Sequence, residues 1–270
     1  MNIESEVAAT ETVTETVIKT TSGAVIRDPR LLPVAYSEQC ADFLIISNRP
    51  HVLSVALLPA IGRTCFASAK QVSRACLAPF DLIVIVDDGM DQREVRRLQS
   101  KLQQGKAYFT VVVAGNEATR QRWVGQVDSA FCIGSQHQQG NFINRILESI
   151  ELKGFVCIDY ADIYSVFCNM GKGDFFQGSA KGKFRVFHAI DNALGHFASG
   201  GDSSGETKAD TALMVLSGGL NITLDEWESA LRYLDSKLPE RCCTIGATKL
   251  LADGLIDETL MVSIFLNQVR

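Results

Sequence analysis

The feature that most constrains this chain is the near-continuous apolar run at residues 80–86, FDLIVIV. A strand without polar alternation is one covered on both faces, as central parallel strands are. Parallel neighbours require crossovers, so helices must separate the strands. The flanking sequence supplies them. Residues 41–47 read as a first buried strand closed by Asn48-Arg49-Pro50, and residues 66–77 as a helix with Ala69, Val72, Cys76 and Leu77 inward. A polar helix over Gln92–Leu102, a third strand over 108–113, a short helix from Gly115-Asn116 through Trp123 and a fourth strand over 127–133 complete the pattern. The expectation is an α/β fold with a doubly wound, mostly parallel sheet.

The period changes at Asn141, where Phe142, Ile143, Ile146, Leu147 and Ile150 form one helical face. This divides the chain into an N-terminal segment 1–38, poorly ordered or peripheral, with VTETVIKT as a possible edge strand; an α/β region 39–140; a connecting helix 141–153; and a smaller α+β region 154–270. In the last region the polar, Gly-rich stretch 171–183 reads as a connection. A helix follows with Phe184, Phe187, Ile190, Ala193, Leu194 and Phe197 inward, then an exposed loop over 198–208 and a strand over 212–216. Thr223 with Glu226 makes a capping box, stapled by Ile222 and Trp227, and Leu224, Trp227, Ala230, Leu231 and Leu234 continue inward. Strands over 242–247 and 259–266, with a turn at Asp253-Gly254, close the chain.

At 270 residues, 46% hydrophobic and 21% charged, the chain can bury a large core. A net charge of -5 with mixed signs excludes the electrostatic footprint of nucleic-acid binding. Its eight cysteines follow no metal-ligand spacing and mostly sit in apolar runs, as reduced thiols do. The sequence offers neither a secretory signal nor a stretch of about 20 apolar residues to cross a bilayer. A cytoplasmic protein without direct membrane insertion is expected.

The stretch 154–171, GFVCIDYADIYSVFCNMG, starts a helix at Asp159 with Tyr160, Ile163, Tyr164 and Phe167 on one buried stripe. Asp159 and Asp162 share the outward side. They read either as a capping pair that satisfies the helix N-terminus or as paired carboxylates presented to a partner. His188 and His196 are too far apart on one helix for a metal pair, and Cys242 and Cys243 point to opposite faces of a strand, so no metal site is expected.

The segment GFVCIDYADIYSVFCNMGKG resembles the synergy loop and following helix of the tubulin/FtsZ superfamily, GLINLDFADVxxVMxxMG, more the bacterial FtsZ form than tubulin. Asp159 and Asp162 fall on its acidic positions, Tyr160 on its aromatic and Cys157 on its amide. ALMVLSGGLNITLDEWESAL is similar to the family's GxLVNITGGxDLTLxEVxxA, and CCTIGATKLLADGLIDETLMVSIF to its closing strands. The likeness spans roughly residues 141–267. The first half departs from it. Where FtsZ carries the phosphate loop GMGGGTGTG, this chain has Asp87-Asp88-Gly89-Met90-Asp91, three carboxylates where an anion should bind. No counterpart of the loop GVGGGGGNA precedes Phe43, and Ile133 and His137 stand where the family places its guanine contacts. A C-terminal tail like that of FtsZ is not expected either.

The resemblance implies a tubulin/FtsZ-like fold with a degenerate phosphate loop, no nucleotide cofactor and no GTPase activity of its own. It implies a partner-facing loop made of Cys157, Asp159, Tyr160 and Asp162. Three functions follow as expectations: a non-hydrolysing protein of the bacterial division cytoskeleton that regulates filaments of an active FtsZ relative, head to tail; a nucleotide-independent assembly protein forming its own polymer; or a weak nucleotide binder.

Overall fold

The computed structural model describes residues 17–19, 25–27, 42–48, 63–72, 77, 80–103, 108–151, 154–168, 170–200, 209–250 and 258–268. Strands β1 (Val17–Lys19) and β2 (Val25–Arg27) form an antiparallel pair. The remaining strands are β3 (Asp42–Ser47), β4 (Arg63–Ala67), β5 (Leu82–Asp87), β6 (Phe109–Ala114), β7 (Ser129–Cys132), β8 (Gly171–Ala180), β9 (Thr211–Gly218), β10 (Cys243–Leu250) and β11 (Leu260–Gln268). They make one nine-stranded sheet in the order β10-β9-β11-β8-β7-β6-β5-β3-β4. Only β11 runs antiparallel to its neighbours. The fold class is therefore the expected one, α/β with a mostly parallel sheet.

The helices are α1 (Gln92–Leu102), α2 (Glu117–Gln121), α3 (Gln136–Glu151), α4 (Tyr160–Phe167), α5 (Arg185–Gly200) and α6 (Leu224–Lys237). Alternate residues of each central strand feed opposite faces. On one face Leu82, Val84 and Val86 join Phe109, Phe131 and the inward residues of α3 and α4, and this layer runs on through Leu213, Val215 and Phe265 into the second half. On the other face Ile83 and Ile85 meet Val95, Leu98 and Leu102 of α1 together with Trp123. A third cluster packs α5 and α6 against β9 and β11. Local signals hold where they were strongest: Thr223 and Glu226 form a complete capping box, and β5 is buried along its whole length.

Four expectations change. The stretch 171–183, expected to be a connection, contains the ten-residue strand β8, so the strands of the second half continue the first sheet instead of starting another. The join is the short pairing of β7 with β8, from Ser129↔Gly171 to Phe131↔Gly173. Glycine reads as a strand breaker in isolation. Here it is required: a Cβ on Gly173 would stand 2.3 Å from the Phe131 ring, and one on Gly178 only 2.1 Å from the Ala189 carbonyl oxygen of α5. Next, Phe66 and Ala67 belong to β4 and are not helical, although Ala69, Val72 and Leu77 are buried as expected. The central helix begins at Gln136, ahead of Asn141. Finally, Tyr164, Phe184 and Leu224 are exposed, and Val166 takes an inward place on α4. The expected turn at Asp253-Gly254 lies outside the described residues.

Candidate functional site

The acidic turn after β5 is built from the inside out. Asp87, the last residue of β5, is fully buried. Its Oδ1 accepts the Met90 N–H at 3.0 Å, and its Oδ2 accepts the Trp123 indole N–H at 2.7 Å and an Arg122 guanidinium N–H at 2.9 Å. A buried carboxylate is tolerated only with such charge pairing and hydrogen bonding. Gly89 reverses the chain at φ +90°, a conformation that glycine adopts freely, and drops Met90 into the core. Asp91 then caps α1: its Oδ1 accepts from the N–H groups of Arg93 (2.8 Å) and Glu94 (2.7 Å), while Glu94 Oε2 accepts the Asp91 N–H at 3.2 Å. Asp88 accepts from Gln136 Nε2 at 3.1 Å.

Backbone N–H groups at a helix start are the ordinary means of holding a phosphate. In this turn Asp87 and Asp91 use those of Met90, Arg93 and Glu94. The five residues of the turn are thus brought together around carboxylates of the protein itself. Of the two positions expected at a base, Ile133 is buried with its carbonyl accepting from Gln139, and His137 is exposed beside Asn141. Arg122, Trp123 and Gln136, which hold the acids, carry no sequence signal for that role. Their proximity to β5 is a product of the sheet order.

The second candidate surface is the loop into α4. The Thr248 N–H donates to the Val156 carbonyl and the Val156 N–H to Thr248 Oγ1, both at 2.9 Å. Gly154 lies so near β10 that a Cβ there would be 1.8 Å from the Thr248 carbonyl oxygen. Cys157 is exposed, its thiol 3.1 Å from the Gly154 carbonyl. Asp159 and Asp162 cap α4 reciprocally, the Asp162 N–H donating to Asp159 Oδ1 at 2.9 Å and the Asp159 N–H to Asp162 Oδ2 at 3.1 Å. The capping reading of the pair is thus realised in the geometry, and Asp159 remains exposed while it caps.

Tyr160 is an anchor. Its hydroxyl donates to the Asp81 carbonyl at 2.7 Å, and its ring packs 5.6 Å from Phe109. Burial, with a smaller contribution from the Asp81 carboxylate, raises its phenol well above the usual tyrosine value. Phe155 and Tyr164, 41% and 44% exposed, add apolar surface to the loop and helix that the sequence pattern did not reveal. Replacing Asp159 by alanine is expected to lower stability by about 0.5–2 kcal/mol through loss of the cap, measured as a shift of the denaturation midpoint. Asp159→Asn, which keeps the acceptor, should retain most of it.

The two acidic features lie at opposite ends of the sheet. Asp81 precedes β5, Phe109 opens β6, and Ser129, whose hydroxyl donates to the Phe167 carbonyl, opens β7. Helix α4 therefore sits at the N-terminal ends of these strands, and the 87–91 turn sits at the C-terminal end of β5. A six-residue strand separates them by about 20 Å. Among the described residues no group of three His, Cys, Asp or Glu side chains could hold a metal ion, and no helix is long and apolar enough to cross a membrane.

No protein-family model matches this chain, and no curated protein does. Solved structures match it clearly. A mutant FtsZ from M. jannaschii superposes with a TM-score of 0.65 at 14% identity, covering 85% of this chain and 92% of that one. The GDP-form protofilament structure of TubZ from Bacillus thuringiensis serovar israelensis gives 0.55 at 9% identity, with 85% and 87% covered. CetZ2 from Haloferax volcanii, a GTPγS-bound protofilament, gives 0.51 at 14% identity, with 85% and 84% covered. At such identities the likeness concerns architecture alone: this chain has a tubulin/FtsZ-like fold.

Proposed function

We propose that this chain is a cytoskeletal protein that does not hydrolyse nucleotide and that modulates filaments of an active FtsZ-like relative through the loop face bearing Cys157, Asp159, Tyr160 and Asp162. One observation carries the reading: the helix-start donors that would meet a phosphate are occupied by Asp87 and Asp91. An added phosphate would have to displace these carboxylates and approach three acids, which like-charge repulsion opposes. The opposite end keeps an acidic, solvent-facing loop. A subunit that offers one end of a head-to-tail contact and lacks the other stops growth instead of propagating it. That neighbours of this fold were solved as protofilaments supports association between subunits.

The test has two parts. Equilibrium dialysis against GTP should give no saturable binding at millimolar nucleotide, and saturable binding would favour a weak nucleotide binder instead. Mixed at equimolar ratio with an active FtsZ, the wild-type chain should lower GTP turnover and pelletable polymer, and Asp159→Asn with Asp162→Asn should abolish that effect without unfolding the protein. Unchanged turnover and polymer mass would end the proposal. The exposed Phe155 and Tyr164 favour a second reading, a polymer of this chain alone, which predicts sedimentation of the purified protein without any nucleotide.

A further inference from the structure

Strand β10 is one edge of the nine-stranded sheet. The Cys243 N–H donates to the carbonyl of Asp210, just before β9, so Cys243, Ile245, Ala247 and Lys249 turn their backbone groups to β9. Thr244, Gly246 and Thr248 turn theirs outward. Val156 occupies Thr248, and at the other end the Cys242 N–H folds back to the Pro239 carbonyl. The open part of the edge is therefore the pair of residues flanking Ile245: the N–H and carbonyl groups of Thr244 and Gly246 meet no partner among the described residues. Open edges are normally blunted by charge, proline or a bulge. This strand has no proline, it pairs with β9 without a bulge, and its one charge, Lys249, is 1% exposed.

Two orphaned polar atoms lie at the same place. Thr244 Oγ1 and the Trp227 indole nitrogen are buried without a hydrogen-bond partner among the described residues, a state that proteins seldom tolerate. Trp227 Nε1 is 3.1 Å from where a Cβ on Gly246 would stand, so the indole of α6 hangs over the open edge. Leu231 lies beside it, and Leu224, three residues before Trp227, is 59% exposed. Thr244 and Gly246 share this face of β10, yet donor and acceptor do not meet within one chain. We propose that β10 pairs antiparallel with β10 of a second copy, about a two-fold axis at Ile245. Thr244 of each copy then stands opposite Gly246 of the other, and the two pairs exchange four backbone hydrogen bonds. No other symmetric register uses every open group, because the window ends at Val156 on one side and at the Pro239 turn on the other. The partner subunit's Thr244 lies across from Gly246 on the α6 face, where its hydroxyl, turned about χ1, accepts the Trp227 indole N–H. A foreign strand answers the backbone groups alone, whereas a second copy answers both orphans, twice over. The pair is closed and does not propagate. It makes no use of the 154–162 loop, so it goes beyond the filament reading and is tested without a filament.

In reducing buffer, sedimentation equilibrium over about 1–100 μM chain should show a reversible monomer–dimer equilibrium with a Kd in the micromolar range. Exchange at the Thr244 and Gly246 amides, which donate the new bonds, should slow as chain concentration rises. Thr244→Pro removes an outward N–H and no bond to β9, and should be monomeric throughout. Thr244→Val and Trp227→Phe keep the shape and lose the acceptor or the donor, and each should raise Kd about tenfold. The double variant should also lose only about tenfold, because both changes delete the same two bonds. A monomeric wild type, a dimer that survives Thr244→Pro, exchange at Thr244 and Gly246 that ignores concentration, or additive losses in the double variant would each overturn the proposal. Should Thr244→Pro fail to fold, the two conservative variants decide it.

Discussion

Asp87→Ala is expected to lower the unfolding free energy by about 3 kcal/mol, the low end of what breaking a buried charge pair costs. The alanine leaves three donors without their acceptor: the Met90 N–H, the Trp123 indole N–H and one Arg122 N–H. Arg122, with 28% of its side chain exposed, can turn towards water, which keeps the loss below the upper end of the range. Trp123 is fully buried and cannot, so its orphaned N–H carries a desolvation penalty of about 1–3 kcal/mol by itself. Asp88→Ala, one residue on at a half-buried position bonded to Gln136, should change stability by no more than about 1 kcal/mol. Urea unfolding of both variants checks the contrast. Equal midpoints would mean that the acids do not organise the turn and do not stand in for a bound anion.

A pair of Gly→Ala substitutions should move stability in opposite directions. At Gly178 the new methyl would stand 2.1 Å from the Ala189 carbonyl oxygen, 2.5 Å from the Ala193 nitrogen and 3.0 Å from the Ala193 Cα. These are backbone atoms of α5, and no rotamer change moves them aside. Accommodation means lifting α5 off β8 along the face where Val186, Ala189, Ile190 and Ala193 pack, and a loss of about 3 kcal/mol is expected, the upper part of the overpacking range. At Gly195, exposed on the same helix, a Cβ meets nothing within 4 Å. There alanine should stabilise by about 0.5–1 kcal/mol, because it removes unfolded-state freedom from a helical site. Thermal melts of both variants suffice. A neutral Gly178→Ala would show that α5 is not pressed against β8 as described.

These glycines also explain what a linear reading misses. In the sequence Gly171, Gly173 and Gly178 have the texture of a connection, and nothing in the stretch announces that Phe131 from β7 and the backbone of α5 demand close approach there. The same holds for β4, where residues 66 and 67 fit a helical spacing that the parallel pairing with β3 overrides. Tyr164 fits the inward stripe of α4 by period, yet Val166 takes an inward place and Tyr164 stays at the surface near Phe109. The candidate site divides along the same line. Its acids could be named from their positions, whereas Arg122, Trp123, Gln136 and Thr248, which decide what those acids do, are distant in sequence or belong to other strands.

By itself the amino-acid order determined the elements whose causes are local: the doubly buried run of β5, the caps at Asp159 and Thr223, the amphipathic faces of the helices and the three carboxylates at positions 87, 88 and 91. Those depend on backbone sterics, capping and periodicity within a few residues. Only the tertiary structure decided that both halves share one sheet, that Asp87 is neutralised from another element and that β10 grips the loop before α4. Each of these is a contact between segments far apart in the chain, and its energy exists only once the sheet order has brought them together.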